Sequence, residues 1–214
     1  MNRLNADFLN DLAADRQAVK PLRNGPSVGM LSLGVLAGLA AVGLVLGPRV
    51  DLMAGAPSTM FLFRTGMLVL LSGISALAAL DMARPNVGAP SRVWEGALAM
   101  ACLVPATALV MALLDPAAAA AAVLQPSAVL CLGVSLAAAL AFGAVMVVHL
   151  RRGAPVTLER AGTLVGLASG SLGVLVYSLH CPSNSVIYIG AWYGLAIAIS
   201  TIMARRLVPA LIRW

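Results

Sequence analysis

Val28–Gly47 reads VGMLSLGVLAGLAAVGLVLG, an uncharged apolar run bounded by Gly25-Pro26 before it and Pro48-Arg49 after it. A helix needs about 20 such residues to cross the hydrocarbon layer of a bilayer. Five further stretches meet the same criterion: Met60–Leu80, Trp94–Leu114, Ser127–His149, Ala161–Leu179 and Val186–Ala204. Proline punctuates every connection between them, with Pro48 and Pro57, Pro85 and Pro90, Pro116 and Pro126, then Pro155 and Pro182. The expected fold is therefore all-α, a polytopic bundle of six transmembrane helices. Residues 1–27 form a cytoplasmic N-terminal segment and residues 28–214 the membrane domain.

Composition agrees. Hydrophobic residues make up 61% of the chain and charged residues 10%. Soluble domains carry about 25% charged residues because their surface faces water. The formal net charge of +6 comes from 13 arginines and one lysine. In a soluble chain that excess suggests nucleic acid; beside apolar spans it reports orientation, so no direct nucleic-acid contact is expected.

Arg3, Arg16, Lys20 and Arg23 precede the first span, and Arg84 and Arg92 lie in the second loop. Arg151, Arg152 and Arg160 lie in the fourth loop, and Arg205, Arg206 and Arg213 at the C-terminus. Only Arg49 sits on the other side, with Arg64 just inside the second span. The positive-inside rule puts the richer side, and both termini, in the cytoplasm. A cleaved signal peptide is not expected, because Asp7, Asp11 and Asp15 occupy the place of its apolar core.

Gly34, Gly38 and Gly43 on the first span, and Gly166, Gly170 and Gly173 on the fifth, suit close helix packing in lipid. The Ala117–Ala122 run reads as an external extension of a helix. Arg64 is expected to reach back to the headgroups, and Glu95 to pair with Arg92.

No enzyme motif is present: the chain lacks GxSxG, HExxH, a P-loop and CxxC. His149 and His180 fall at opposite ends of the membrane. Cys102 lies mid-span and reads as inert packing. Cys131, near the outer end of the fourth span, and Cys181, in the stretch His180-Cys181-Pro182, share the external face. Two such thiols can form a disulfide, bind a soft metal or respond to an oxidant, with His180 as an accessory.

The N-terminal segment has a stripe of Leu4, Phe8 and Leu12 beside one of Asp7, Asp11 and Asp15. A helix this short is marginal alone, and its acidic face disfavours an anionic lipid surface, so a protein partner is expected.

These residues carry a resemblance. Leu9-x-x-Leu12-x-x-Asp15-x-x-x-Val19-x-Pro21-Leu22, then Arg151-Arg152-Gly153-Ala154-Pro155, His180-Cys181-Pro182, Trp192-Tyr193-Gly194 and terminal Arg213-Trp214 resemble the NrsF family of six-span membrane anti-sigma factors. The resemblance implies that residues around Leu4, Asp7, Phe8, Leu9, Asp11, Leu12 and Asp15 bind an extracytoplasmic-function sigma factor at the bacterial inner membrane. It also implies that Cys131 and Cys181 sense metal or oxidative stress, with a soft or heavy metal ion as a candidate ligand. A small six-helix transporter or exporter is the alternative, disfavoured by the lack of midplane charge.

Overall fold

The computed structural model describes residues 22–84 and 92–212. Among them there is no strand. Helix α1 spans Gly25–Val45, the one-turn α2 Val50–Met53, α3 Thr59–Asp81 and α4 Val93–Leu114. Helix α5 spans Pro116–Val123, α6 Ser127–Arg151, α7 Leu158–Ser178 and α8 Val186–Ile212. Six of these, all but α2 and α5, are long and apolar enough to cross a membrane. The six expected spans are present with ends moved by a few residues, except that α8 continues past Ala204 to Ile212. Arg205 and Arg206 do not end it, because arginine is a good helix former and its charge leaves the hydrocarbon along its stem.

The bundle is built around α7, on which every residue from Ala161 to Ser178 is buried. It packs most extensively on α8, α6 and α3. Sequence explains why. Lipid offers no hydrophobic drive between helices, so small residues that admit a neighbouring backbone supply the contact. At Gly166 a Cβ would fall on Thr201 Cα of α8, and at Gly173 on the Ser135 carbonyl of α6. The α1 glycines meet only side chains, Gly34 facing Phe142 and Gly38 facing Val176. Buried hydroxyls on α7 return to their own helix: Thr163 donates to Glu159 O, Ser171 to Leu167 O and Ser178 to Leu175 O. The central helix thus stays polar in composition without orphaned groups.

Outward faces of α1, α3 and α4 carry exposed Leu33, Leu36, Phe63, Leu70, Leu103 and Leu113. Apolar area on this scale belongs in lipid rather than water. Cys102 is on this outer surface too, exposed rather than packed as expected, because α4 touches its neighbours along one side only.

Two local expectations are corrected. The alanine run is not an extension of α4. Asp115 breaks the helix at φ −136° and ψ 85°, then caps a separate α5 by accepting from Ala118 N at 2.9 Å. Arg92 and Glu95 form no side-chain ion pair; Arg160 instead stacks over Trp94 at 5.6 Å. The helices alternate in direction, so Arg84, Arg92, Arg151, Arg152, Arg160, Arg205 and Arg206 gather at one end, the basic end. There Asn24 donates to Asp81 at 2.6 Å and Arg205 pairs with Glu159 at 3.0 Å. Cys131 and Cys181 lie at the opposite, cysteine end.

Candidate functional site

The cysteine end is organised by the connection between α7 and α8, residues 179–185, which holds Cys181. Gly47, at φ +82°, lets the chain turn sharply out of α1, a conformation that L side chains rarely adopt. That turn brings Arg49 N to Leu179 O at 3.1 Å and Gly47 O to His180 Nδ1 at 3.0 Å. The loop after α1 is thereby stitched to the cysteine connection.

Two buried arginines tighten the join. Arg49 donates to both oxygens of Asp51, from Nε at 2.8 Å and Nη2 at 2.9 Å, and to Asn184 Oδ1 at 3.1 Å. Its Nη1 donates to the carbonyl of Cys181. Arg64, reaching across from α3, donates to Ser183 O at 2.7 Å and to Ser178 O and Cys181 O, both at 3.1 Å. One carbonyl, that of Cys181, therefore accepts from two guanidinium groups. The Phe61 ring lies 5.3 Å from the Arg49 guanidinium carbon and 5.4 Å from that of Arg64. Tyr193 faces Arg64 from α8 at 5.6 Å.

Arg64 consequently does not reach for the headgroups as expected. It is 3% exposed, because backbone carbonyls of a loop that cannot complete a helix replace its hydration. Asp51 serves as counter-ion for Arg49 alone. The bidentate hydrogen bonds from Arg49, joined by Ser58 N, hold its carboxyl well below the usual carboxylate range, and the same contact raises Arg49 above its ordinary value.

Both thiols, free of a disulfide and fully buried, sit beneath this latch. Each of Tyr177, Tyr188 and Tyr193 lies within electrostatic reach of both, and the thiols lie within reach of each other. Tyr188 OH approaches Ser127 Oγ at 3.3 Å and Tyr177 OH approaches Ser127 O at 3.4 Å, tying this cluster to the start of α6. Cys131, beside Tyr188, and Cys181, beside Tyr193, thus belong to one buried tyrosine cluster. His180 is beside it, edge-on to Tyr177 at 5.9 Å, but its Nδ1 is committed to Gly47 O. Among the described residues no group of three or more His, Cys, Asp or Glu side chains is placed to hold a metal ion. The available donor set is two sulfurs, which fits a soft ion of low coordination number and not a four-ligand structural site. His149, at the basic end, faces Ser27 Oγ at 2.7 Å. Leu4, Asp7, Phe8, Leu9, Asp11, Leu12 and Asp15 lie outside the described residues.

The family profile described as "Negative regulator of sigma F", NrsF, matches residues 12–214, which include both thiols, the latch and all six spans. The chain belongs to the NrsF family. It is 30% identical to the anti-sigma-F factor NrsF of Caulobacter vibrioides over 213 residues, covering 97% of this chain and 98% of that protein. A probable anti-sigma-F factor NrsF of Azospira oryzae is 36% identical over 61 residues, 28% of this chain and 29% of its own length. No solved structure matches. Within this NrsF fold, sequence reasoning found the two thiols but missed Arg49, Arg64 and the three tyrosines around them. A lone arginine one turn inside an apolar span was the available signal for Arg64.

Proposed function

We propose that this NrsF protein is an anti-sigma factor of the bacterial inner membrane that binds an extracytoplasmic-function sigma factor through residues 4–15 in the cytoplasm. It releases that factor when Cys131 and Cys181 change state on the external side. The observation that carries this reading is the burial of both thiols in one tyrosine cluster, at the end opposite the basic residues. One thiol belongs to α6 and the other to the connection between α7 and α8. A bond between them, direct or through a metal, joins elements that now meet only by packing.

The energetics are compatible. Taking a two-state bundle from mostly holding to mostly releasing its partner needs differential stabilisation on the order of 5 kcal/mol. A disulfide contributes about 2–4 kcal/mol, most but not all of that shift, its two thiols giving two protons and two electrons to the oxidant. Soft-metal thiolate bonds reach a larger scale. Both thiols are fully buried, so the stimulus is a small ion or oxidant that reaches them when the connection opens. The transporter alternative gains nothing, since Arg49 and Arg64 are consumed by the loop they hold.

The test is co-purification of the sigma factor from detergent extracts before and after cadmium or peroxide treatment. Wild-type protein and Cys102→Ser should lose the partner on treatment; the double variant Cys131→Ser/Cys181→Ser should keep it. Deleting residues 1–20 should abolish capture while the chain still inserts. Undiminished capture by that deletion overturns the assignment of the partner-binding segment, and normal release by the double variant overturns the sensor.

A further inference from the structure

Helix α1 is held differently from the helices it touches. Of its 21 residues only Leu31 and Val42 are buried, and it packs chiefly on α6 and α7. Its contact face carries Gly34, Gly38 and Gly43, yet these meet side chains rather than a backbone. A Cβ on Gly34 would lie 3.0 Å from the Phe142 ring, on Gly38 3.0 Å from the Val176 methyls, and on Gly43 3.5 Å from a Leu179 methyl. Between α6 and α7 the opposite holds, since Gly173 lies against the Ser135 carbonyl and Ala139 N. Side-chain tips can turn to follow a helix that moves along them, whereas close-packed backbones cannot. The pair α6 and α7 is therefore a fixed unit, and α1 is laid along it.

Polar ties sit at the two ends of α1. From Val28 to Leu46 the only polar side chain is Ser32, which is exposed. At the basic end Asn24, the residue before the helix, donates to Asp81 at 2.6 Å, and Ser27 Oγ meets Nδ1 of the buried His149 at 2.7 Å. At the cysteine end Gly47 O meets His180 Nδ1 at 3.0 Å, Arg49 N donates to Leu179 O at 3.1 Å, and the Arg49 guanidinium donates to the Cys181 carbonyl. Every one of these outer ties ends on the connection that holds Cys181. The inner ties begin nine residues after Asp15. About 30 Å of helix separates the two sets. On its other side the connection runs into α8 through the five-residue π-turn Ile189–Tyr193, but beyond that turn α8 is seated backbone on backbone where Gly166 meets Thr201.

We propose that α1 is the moving part of the release switch, a rod whose outer end is set by the Cys181 connection and whose inner end sets the attachment of residues 4–15. This rests on the sensor and partner assignments above and names the element that joins them. When the connection rearranges, Gly47 and Arg49 lose their partners, and α1 shifts along α6 and α7 by about 1–2 Å, the scale of helix shifts in switching proteins. Hydrogen bonds as short as those of Asn24 and Ser27 are strained by an offset of that size, so the inner ties part. Linkage runs both ways: a partner that holds the inner end in place steadies the Cys181 connection.

The chain has two histidines, and one is bonded at each end of this rod. Histidine-selective nitrogen-15 NMR of the full-length protein in nanodiscs, at fixed pH and without sigma factor, therefore reads both ends in one spectrum. Ser27→Ala fixes the position of the His149 signal when its tie is absent. Arg49→Ala, at the far end, should move the His149 signal toward that position, and Ser27→Ala should in turn move the His180 signal. Ala40→Pro, on the exposed side of α1, breaks the rod between them and should cancel both transfers. A His149 signal unmoved in Arg49→Ala overturns the proposal, as does transfer that persists through Ala40→Pro, which assigns the path to α6. With sigma factor present, Asn24→Ala/Ser27→Ala should lower capture at least about tenfold, the equivalent of one hydrogen bond to a charged group. Undiminished capture overturns the step from α1 to the partner-binding segment. The assignment of that segment falls separately, only if deletion of residues 1–20 also leaves capture intact.

Discussion

Replacing Arg64 with methionine should open the cysteine connection without dissolving the bundle. Methionine keeps the apolar stem and its contact with Phe61 but removes three hydrogen bonds, to Ser178 O, Cys181 O and Ser183 O. Hydrogen bonds to a charged group contribute about 1.5–3 kcal/mol each, and the orphaned carbonyls cost about 1–3 kcal/mol each if water cannot reach them. Against that stands the relief of desolvating a guanidinium, itself several kcal/mol. The loop is at the end of the bundle and Arg49 still holds the Cys181 carbonyl, so a net loss of about 3 kcal/mol in local opening free energy is reasonable. Such a change multiplies the open population by about 100-fold. The assay is maleimide labelling of Cys181 in a Cys102→Ser/Cys131→Ser background. Cys181 is fully buried, so labelling proceeds through opening and its rate reports that population. Hydrogen exchange of the amides of residues 179–185 should accelerate by the same factor, a readout independent of thiol chemistry. The matching control, Arg84→Met, removes only an exposed pair at 3.9 Å from Asp81 and should change nothing. A rate for Arg64→Met within about threefold of the parent, with melting behaviour unchanged, would falsify the latch.

Reporters fused after residues 55, 120 and 183 should read as external, and those near 88, 156 and 214 as cytoplasmic; termini on opposite sides would refute the six-span arrangement. Gly166→Ala should destabilise the bundle by at least about 2 kcal/mol in thermal unfolding, since the new methyl falls on Thr201 Cα, whereas Gly29→Ala, with open space at its Cβ, should be neutral. The Asp51 carboxyl is depressed, so its contribution is fully present above the ordinary carboxylate pKa of about 3.9 and disappears as pH falls through its lower folded value. Cys181 labelling relative to free cysteine should therefore be flat from about pH 5 to pH 7 and rise only in stronger acid. Asp51→Asn should raise it at every pH in that range, and a pH-independent ratio equal to wild type in Asp51→Asn would remove Asp51 from the latch.

The parts legible in the sequence were those set by local composition. Span number followed from apolar length, and the common end of Cys131 and Cys181 followed from counting crossings between them. Long-range partners were not legible. Arg64 has the same local context whether its guanidinium goes to headgroups or to a loop, and its acceptors lie 114–119 residues further along the chain. Tyr177, Tyr188 and Tyr193 have no local pattern that marks them, because only the meeting of α6, α7 and α8 places them around two thiols. The break before α5 was missed because alanine favours helix so strongly that Asp115 did not register as a cap.

The π-turn at Ile189–Tyr193, inside α8, carries a consequence for how this helix tolerates change in length. A π-turn holds one residue more than the α-turn it replaces, so the segments on either side keep the facing they would have in a regular helix one residue shorter. Deleting one residue within the turn would let α8 run as a regular α-helix, with Tyr188 still facing its neighbours and Gly194–Ile212 still seated on α7. A deletion in the regular turns after it has no such outlet: everything before it would rotate by about 100° and shift by about 1.5 Å relative to everything after it. Between chains of this architecture, a one-residue gap in the π-turn is thus the change in length that the bundle absorbs, whereas the same gap further along α8 marks a rebuilt cysteine end.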